Sequence, residues 1–152
     1  MSAFTPVHVE HSHAFVVELA LERAFRLFEP EGERLWAMGW DPEYLHPAGA
    51  DAAERGMVFR TAHGGEETLW TIVRHEPDAG VVEYVRATPG SRLGTVLVQC
   101  ARLDTARTRV TVVYSLTALS EKGNGTLRAL DAPAYEAFIR SWEESIRSAI
   151  TT

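Results

Sequence analysis

The sequence predicts an α+β fold in which a curved antiparallel sheet of about six or seven strands wraps around one long C-terminal helix. Three observations predict it. Residues 131–150 carry apolar side chains at helical spacing, residues 57–118 contain five strand-like runs joined by tight turns, and a first strand is followed by two short helical segments. An antiparallel sheet with one apolar face needs a cover, and the last helix can provide it.

The composition is that of one globular domain spanning residues 1–152. The chain is 45% hydrophobic and 24% charged, which is enough to close one core. Its net charge of -6 disfavours phosphate binding, so we expect no nucleic-acid partner. No run approaches the ~20 apolar residues of a membrane span, and no signal peptide is recognisable, so we expect a cytoplasmic protein without a membrane span. The sequence is compatible with a homodimer and does not decide the oligomeric state.

The first elements follow from two different periodicities. Residues 7–19 alternate as in a strand, with His11, His13, Phe15, Val17 and Leu19 on one face. Residues 20–28 then have helical spacing and end before Pro30, which cannot continue a helix but suits the first turn of the next one. That second helix is predicted over residues 31–38, with Leu35 and Trp36 facing inward.

Residues 40–47 and 48–56 are predicted loops, because the former contains two prolines and the latter has no apolar periodicity. After them come five predicted strands, over residues 57–63, 67–75, 81–88, 93–103 and 108–118. In the last of these, Val110, Val112, Tyr114 and Leu116 share one face, which we expect to point inward. In residues 93–103 both faces are apolar, so either Leu97 and Gln99 or Val98 and Cys100 point inward.

The C-terminal helix is predicted over residues 131–150, after a loop at Gly123-Asn124-Gly125. Asp131 suits the N-cap and Pro133 the first turn. Six residues recur on its apolar face: Tyr135, Phe138, Ile139, Trp142, Ile146 and Ile150. We expect this face, including Trp142, to be buried against the sheet.

Several segments resemble bacterial members of the START-related, polyketide cyclase-like superfamily (SRPBCC). They are LFEPEGERLW at 27–36, GWDPEYLHP at 39–47, LWT at 69–71, EYVR at 83–86, TPGSR at 88–92 and YSLTALS at 114–120. The resemblance covers nearly the whole chain. It implies the helix-grip fold, in which a curved sheet clasps a C-terminal helix. It also implies one of several roles: lipid or steroid carrier, hormone sensor, polyketide cyclase or activator of a chaperone ATPase.

The predicted space beneath the helix is a candidate site for a small hydrophobic molecule. Aromatic walls with a few polar groups are typical of ligand pockets. Eight residues are candidate ligand contacts: Trp40, Tyr44, His46, Trp70, Tyr84, Arg86, Tyr114 and Trp142. Arg86 has the most specific implication, because a buried guanidinium needs a carboxylate partner or an anionic ligand.

Three classes of function stay open at this point. A binding or carrier module needs only the cavity. An enzyme resembling polyketide cyclases also needs a positioned acid or base, for which His46, Tyr84, Arg86 and Tyr114 are the candidates. A protein-interaction domain like the chaperone activators would use its outer surface and could leave the cavity collapsed.

Other chemistry is not favoured by the sequence. His8, His11 and His13 lack a completing ligand at metal-site spacing, so we expect no metal. No nucleotide or phosphate motif is present, and we expect no cofactor. Cys100, the single cysteine, lies in an apolar strand and is expected to act as a small buried hydrophobe.

Overall fold

A computed structural model describes residues 3–50 and 52–151. These residues form seven strands, β1 (His8–Val17), β2 (Glu43–His46), β3 (Val58–His63), β4 (Glu66–Glu76), β5 (Val81–Thr88), β6 (Arg92–Asp104) and β7 (Arg107–Ala118). They also form four helices, α1 (Leu21–Arg26), α2 (Pro30–Glu33), α3 (Glu121–Ala129) and α4 (Ala132–Ile150). The predicted α+β order of elements is confirmed.

One antiparallel sheet contains all seven strands, in the order β1-β7-β6-β5-β4-β3-β2. Consecutive strands from β2 to β7 are neighbours, and β1 returns to pair with β7. The sheet curves around α4, so that the inward faces of β4, β5, β6 and β7 look towards the helix. This arrangement places six of the eight candidate ligand-binding residues around one space.

The inward face of β6 is the one that carries Val98 and Cys100. Val98 pairs with Val112, and Cys100 pairs with Val110. Directly opposed residues of an antiparallel pair share a face, and the inward side of β7 is fixed by its buried Val110 and Val112. The inward face predicted for β7 is therefore confirmed, and it decides the orientation of β6.

The two short helices after β1 differ in detail from the predicted ones. The second begins at Pro30 and ends at Glu33, and turns continue from there to Gly39. Trp36 is buried as predicted, whereas Leu35 is 71% exposed, so its inward prediction was wrong. Neighbouring residues on a helical turn point about 100° apart, and here Trp36 takes the inward direction.

Two predicted loops contain regular structure. Residues 43–46, within the predicted loop 40–47, form β2 at the edge of the sheet. The predicted loop at Gly123-Asn124-Gly125 lies inside α3, which Ser120 caps by accepting a hydrogen bond from the Gly123 N–H. A Cβ at Gly123 would lie 1.9 Å from the Ser91 carbonyl oxygen, so this glycine permits close contact with a neighbouring turn instead of ending the helix.

The long helix α4 begins where the sequence predicts. The Asp131 side chain accepts a hydrogen bond from the Ala134 N–H at 3.0 Å, and Pro133 lies in the first turn. Tyr135, Ile139 and Ile146 are buried against the sheet. The rest of the predicted apolar face is more open, since Phe138 is 40% exposed and Trp142 is half-buried.

Within residues 3–50 and 52–151, no helix is both long and apolar enough to cross a membrane.

Candidate functional site

A cavity of about 480 Å³ lies between the inward face of the sheet and α4. All four tryptophans of the chain line it: Trp36, Trp40, Trp70 and Trp142. They come from the turn after α2, the segment before β2, strand β4 and helix α4. Three regions distant in sequence therefore contribute large rings to the same space, two of them from the segment between α2 and β2.

Hydrogen bonds hold three of the four tryptophan rings in place on the cavity wall. The indole N–H of Trp36 donates to the Leu27 carbonyl at 2.8 Å, and that of Trp40 donates to the Pro30 carbonyl at 2.8 Å. Trp70 donates to the Thr61 hydroxyl at 3.0 Å. Because these three donors already have protein partners, the rings offer a ligand their apolar surfaces.

Arg86 supplies a cationic group to the cavity. Its guanidinium carbon lies 5.0 Å from the centroid of the Trp70 ring, and its Nη2 donates to the Thr88 hydroxyl at 3.2 Å. Among the described residues, its Nε is the only side-chain nitrogen or oxygen atom that is fully shielded from solvent and has no hydrogen-bond partner. No described residue forms an ion pair with Arg86. Burial lowers the pKa of Arg86, yet a guanidinium stays protonated at neutral pH.

Two tyrosines lie beside these groups. The Tyr84 hydroxyl donates to the Phe28 carbonyl at 2.5 Å. Burial is the main cause that raises the pKa of Tyr84 well above its ordinary value, and the nearby charge of Glu33 is the next. Burial raises the pKa of Tyr114 to about 12, and the adjacent Arg86 opposes this shift. Both phenols are therefore protonated at neutral pH, and the proton of Tyr84 is already committed to the backbone.

Glu33 brings a buried carboxyl group to the cavity wall. It is 9% exposed and makes no side-chain hydrogen bond or ion pair with any described residue. Burial alone raises its pKa well above 4.5. Its position depends on Gly32, where a Cβ would lie 1.7 Å from the Arg26 carbonyl oxygen. Because Gly32 has no side chain, α2 can lie close to the end of α1, and in this position Glu33 faces inward.

The mouth of the cavity carries a satisfied ion pair. Arg92 and Glu66 approach to 3.2 Å, and Arg92 also donates to the Ser91 hydroxyl at 2.8 Å. Both charged residues line the cavity. Unlike Arg86, Arg92 has a carboxylate partner, so the charges of Arg92 and Glu66 compensate each other without a ligand.

Two of the eight candidate residues do not line the cavity. The Tyr44 hydroxyl donates to the Glu31 carboxylate at 2.5 Å, and its ring packs against Phe59. His46 is exposed on the edge strand β2. Tyr44 pairs with Phe59 and shares its inward face, but it packs on the Phe59 ring at the edge of the sheet and does not reach the space beneath α4. The other six candidates, Trp40, Trp70, Tyr84, Arg86, Tyr114 and Trp142, lie on its walls.

Two histidines of β1 have hydrogen-bond partners within the fold, and the single cysteine is buried. His11 Nε2 is 2.8 Å from the Leu130 carbonyl oxygen, and His8 Nδ1 is 2.8 Å from the Thr117 hydroxyl. No cluster of three or more potential metal ligands occurs among the described residues. Cys100 is buried as predicted, and burial raises the pKa of its thiol to about 12.

Sequence reasoning missed Glu33 and the pair Glu66–Arg92. For Glu33 a signal existed, because it lies three residues before Trp36 and such residues share a helical face. An inward-facing Trp36 therefore also predicts an inward-facing Glu33. Glu66 and Arg92 are brought together across strands 26 residues apart, and no local pattern indicates that pairing.

No protein-family model and no curated protein matches the sequence. Solved structures do match. Norcoclaurine synthase from Thalictrum flavum, in complex with dopamine and hydroxybenzaldehyde, is 9% identical with a TM-score of 0.67, over 96% of this chain and 88% of that chain. An uncharacterised protein from Rhizobium leguminosarum is 12% identical with a TM-score of 0.67, over 95% of this chain and 97% of that chain.

An aromatase/cyclase from Streptomyces sp. R1128 is 17% identical with a TM-score of 0.64, over 95% of this chain and 94% of that chain. At such identities the likeness concerns the fold, and fold alone does not assign a reaction. The chain shares with these structures the helix-grip fold, in which a curved antiparallel sheet clasps a long C-terminal helix, and the predicted fold is confirmed.

Proposed function

We propose that this protein binds a small, flat, largely apolar molecule bearing an acidic group, in the cavity between the sheet and α4. The observation that carries the proposal is the cavity itself. Its volume of about 480 Å³ falls in the range of small-molecule sites, and its walls combine four tryptophan rings with several polar side chains. A core of close-packed side chains would leave no such volume.

The acidic group of the ligand is inferred from Arg86. Removing one partner from a buried charged pair is strongly unfavourable, because a buried charge without compensation remains. Arg86 has a buried Nε without an acceptor and no ion pair among the described residues. A ligand carboxylate, enolate or phenolate would supply both the acceptor and the counter-charge, with hydrogen bonds about twice as strong as neutral ones.

Two of the similar structures support this class of ligand. The norcoclaurine synthase structure contains dopamine and hydroxybenzaldehyde, both small aromatic molecules, and the Streptomyces protein is an aromatase/cyclase. Flat molecules of that kind suit a cavity whose walls are rings. The support concerns the flat aromatic shape of the ligand and extends neither to its acidic group nor to a particular compound.

The test is calorimetric titration of 2-naphthoate and its methyl ester against the wild-type protein and two variants. Arg86→Leu should weaken binding of the acid about tenfold to a hundredfold, the usual effect of losing a hydrogen bond to a charged group, and should change binding of the ester little. Tyr84→Phe should weaken both only slightly. Equal losses for acid and ester in Arg86→Leu would remove the acidic group from the proposal, and a wild-type protein that bound neither would refute it.

An enzyme of the aromatase/cyclase kind is a second candidate, favoured by Glu33. A cavity carboxyl group with a raised pKa is suited to general acid–base catalysis near neutral pH. The candidates named from the sequence suit that role less well, since His46 lies outside the cavity and Tyr84 donates to the backbone. A protein-interaction domain with a collapsed cavity is the least favoured class, because the cavity is open.

Exchange of carbon-bound hydrogen separates the enzyme from the binding protein. The methyl protons of 6-acetyl-2-naphthoate lie next to a carbonyl group and exchange with D₂O through the enol. An enzyme should accelerate this exchange, measured by NMR, and Glu33→Gln should reduce the acceleration at least tenfold, within the usual range for loss of a general acid or base. Exchange at the rate of buffer alone would leave binding as the function.

A further inference from the structure

The Glu33 carboxyl group has no structural role that its contacts explain. It is nine-tenths buried, it lines the cavity, and no described residue donates a hydrogen bond to it or pairs with its charge. Buried polar groups in folded proteins nearly always have partners, and each exception needs an explanation. Because the carboxyl group faces the same cavity as Arg86, a bound molecule can be the missing partner.

The two unpartnered groups occupy different parts of the cavity. Tyr84 and Arg86 both point inward from β5, two residues apart, which corresponds to roughly 7 Å along a strand. The Tyr84 hydroxyl reaches the Phe28 carbonyl, just before the helix that carries Glu33, whereas Arg86 reaches the Thr88 hydroxyl in the other direction along β5. Glu33 and Arg86 therefore approach the cavity from different ends of β5, and a ligand that contacts both must span the distance between them.

The chemistry of Glu33 decides what the second end of the ligand must offer. A protonated carboxyl group is a hydrogen-bond donor, and a carbonyl oxygen is an acceptor that needs no change of ionisation on binding. A ligand ammonium group would require Glu33 to lose its proton and would bury two charges, whose desolvation can exceed their attraction. The neutral acceptor is the simpler match.

We propose that Glu33 is the second polar contact of the ligand, and that the ligand is an elongated aromatic acid with a carbonyl oxygen at the end remote from its acidic group. Arg86 then binds the acidic group, Glu33 donates a hydrogen bond to the carbonyl oxygen, and the tryptophan rings enclose the flat part between them. This inference rests on the proposed ligand-binding function and adds to it the position and polarity of a second group.

The test compares two probes of nearly the same shape. 6-Acetyl-2-naphthoate carries the carbonyl oxygen, and 6-isopropenyl-2-naphthoate has a CH₂ group in its place. The wild-type protein should bind the acetyl compound about tenfold more tightly, as expected for one buried hydrogen bond. Glu33→Leu should abolish this preference, and Glu33→Gln should keep it, since an amide N–H also donates.

The pH dependence provides a readout that a merely structural role would not change. The wild-type preference should decline as the pH rises through the raised pKa of Glu33, because the ionised group cannot donate. In Glu33→Gln the preference should stay constant. Both phenols that face Glu33, Tyr84 and Tyr114, have raised pKa values and stay protonated over this range. The remaining ionisable groups of the cavity wall, His63, Glu66, Arg86 and Arg92, are the same in both proteins.

The outcomes separate this inference from the proposal on which it rests. Failure of both naphthoates to bind the wild-type protein would refute the proposed function and this inference with it. Binding of both with equal affinity would refute the role of Glu33 and leave the proposed function standing. Tighter binding of 6-(aminomethyl)-2-naphthoate than of the acetyl compound would also overturn the carbonyl assignment. If Glu33→Leu does not fold, the pH series on wild type and Glu33→Gln decides the question.

Discussion

The two sides of the space beneath α4 contain similar aromatic residues and differ in how their polar groups are partnered. On the closed side, the Tyr135 hydroxyl donates to the Val112 carbonyl at 2.6 Å, and its ring stacks on His11, which is itself bonded to a backbone carbonyl. On the open side, Arg86 Nε and the Glu33 carboxyl group have no partner among the described residues. Aromatic content alone therefore does not distinguish core from site, whereas unpartnered polar groups do.

The physical reason is the free energy of burying polar atoms. Leaving a buried donor or acceptor without a partner costs about 1–3 kcal/mol, and more for a charged group. If such groups had no function, the protein would be more stable with apolar residues in their place. The unpartnered Arg86 Nε and the unpaired Glu33 carboxyl group, both facing one cavity, are better explained by a ligand than by the requirements of the fold.

The largest expected effect comes from Ile139→Ala on the closed side. Ile139 is fully buried, so truncation should lower the free energy of unfolding by about 2–5 kcal/mol. Its neighbour Phe138 is 40% exposed beside the cavity, and Phe138→Ala should cost only about 1 kcal/mol, the value of its ring contacts with Tyr114 and Trp142. Urea unfolding measures both changes.

Binding of 2-naphthoate to the same two variants provides the control. Ile139→Ala should leave the affinity of the folded protein unchanged, and Phe138→Ala should weaken it, because only Phe138 lines the cavity. Equal destabilisation by the two substitutions would contradict the division of α4 into a closed and an open side.

Most of the fold could be predicted because its periodicities are unambiguous. Strand β7 alternates with a period of two, and the cap at Asp131 follows from a local side-chain preference. The orientation of β6 could not be predicted, because Val98 and Leu97 are equally apolar and the choice rests on pairing with β7. Helix α3 was missed because its glycines suggest a loop, whereas close contact with Ser91 overrides that propensity.

The candidate site was predictable in its aromatic residues and in Arg86, and not in its other polar groups. Six of eight candidate residues line the cavity because large rings and inward strand positions can be recognised locally. Tyr44 and His46 do not reach the cavity because they lie on β2, the edge strand of the sheet, and the pairing that places a strand at the edge cannot be read from a local pattern. Glu33 was overlooked because charged residues are almost never fully buried, so a glutamate on a short helix is normally assigned to solvent.

A smaller effect should distinguish the tyrosines of the two sides. Tyr135→Phe removes a donor from the buried Val112 carbonyl, and should lower the free energy of unfolding by about 1–3 kcal/mol. Tyr114→Phe removes a hydroxyl group that faces Arg86 in the cavity, where water can replace it, and should change stability by less than about 0.5 kcal/mol. Thermal unfolding of both variants tests the difference. A larger loss in Tyr114→Phe would mean that the open side contributes more to stability than the closed side.

Glu33→Gln should increase stability, unlike the tyrosine substitutions, and should do so only at pH values above the ordinary pKa of a glutamate. The pKa of Glu33 is raised in the folded protein, so between about 4.5 and that raised value the folded state holds a proton that the unfolded state has released. Wild-type stability therefore falls as pH rises through this window. The variant does not titrate there, so it should unfold at a higher temperature than wild type at pH 8 and at the same temperature at pH 4. A constant difference at both pH values would mean that Glu33 is not buried.

The smallest expected effect concerns Cys100, which marks where the closed side begins on β6. Val96 and Val98 line the cavity, whereas Cys100, the next inward residue, does not. Burial raises the pKa of its thiol to about 12, and the thiolate is the reactive form, so iodoacetamide at pH 8 should leave the native protein unmodified. Ser145→Cys in a Cys100→Ala background is the matched control, because Ser145 is only half-buried and lines the cavity. Mass spectrometry should detect alkylation of that variant, slowed by 2-naphthoate. If Cys100 were alkylated at a similar rate, the cavity would have to reach beyond Val98, and Cys100 would belong to the open side.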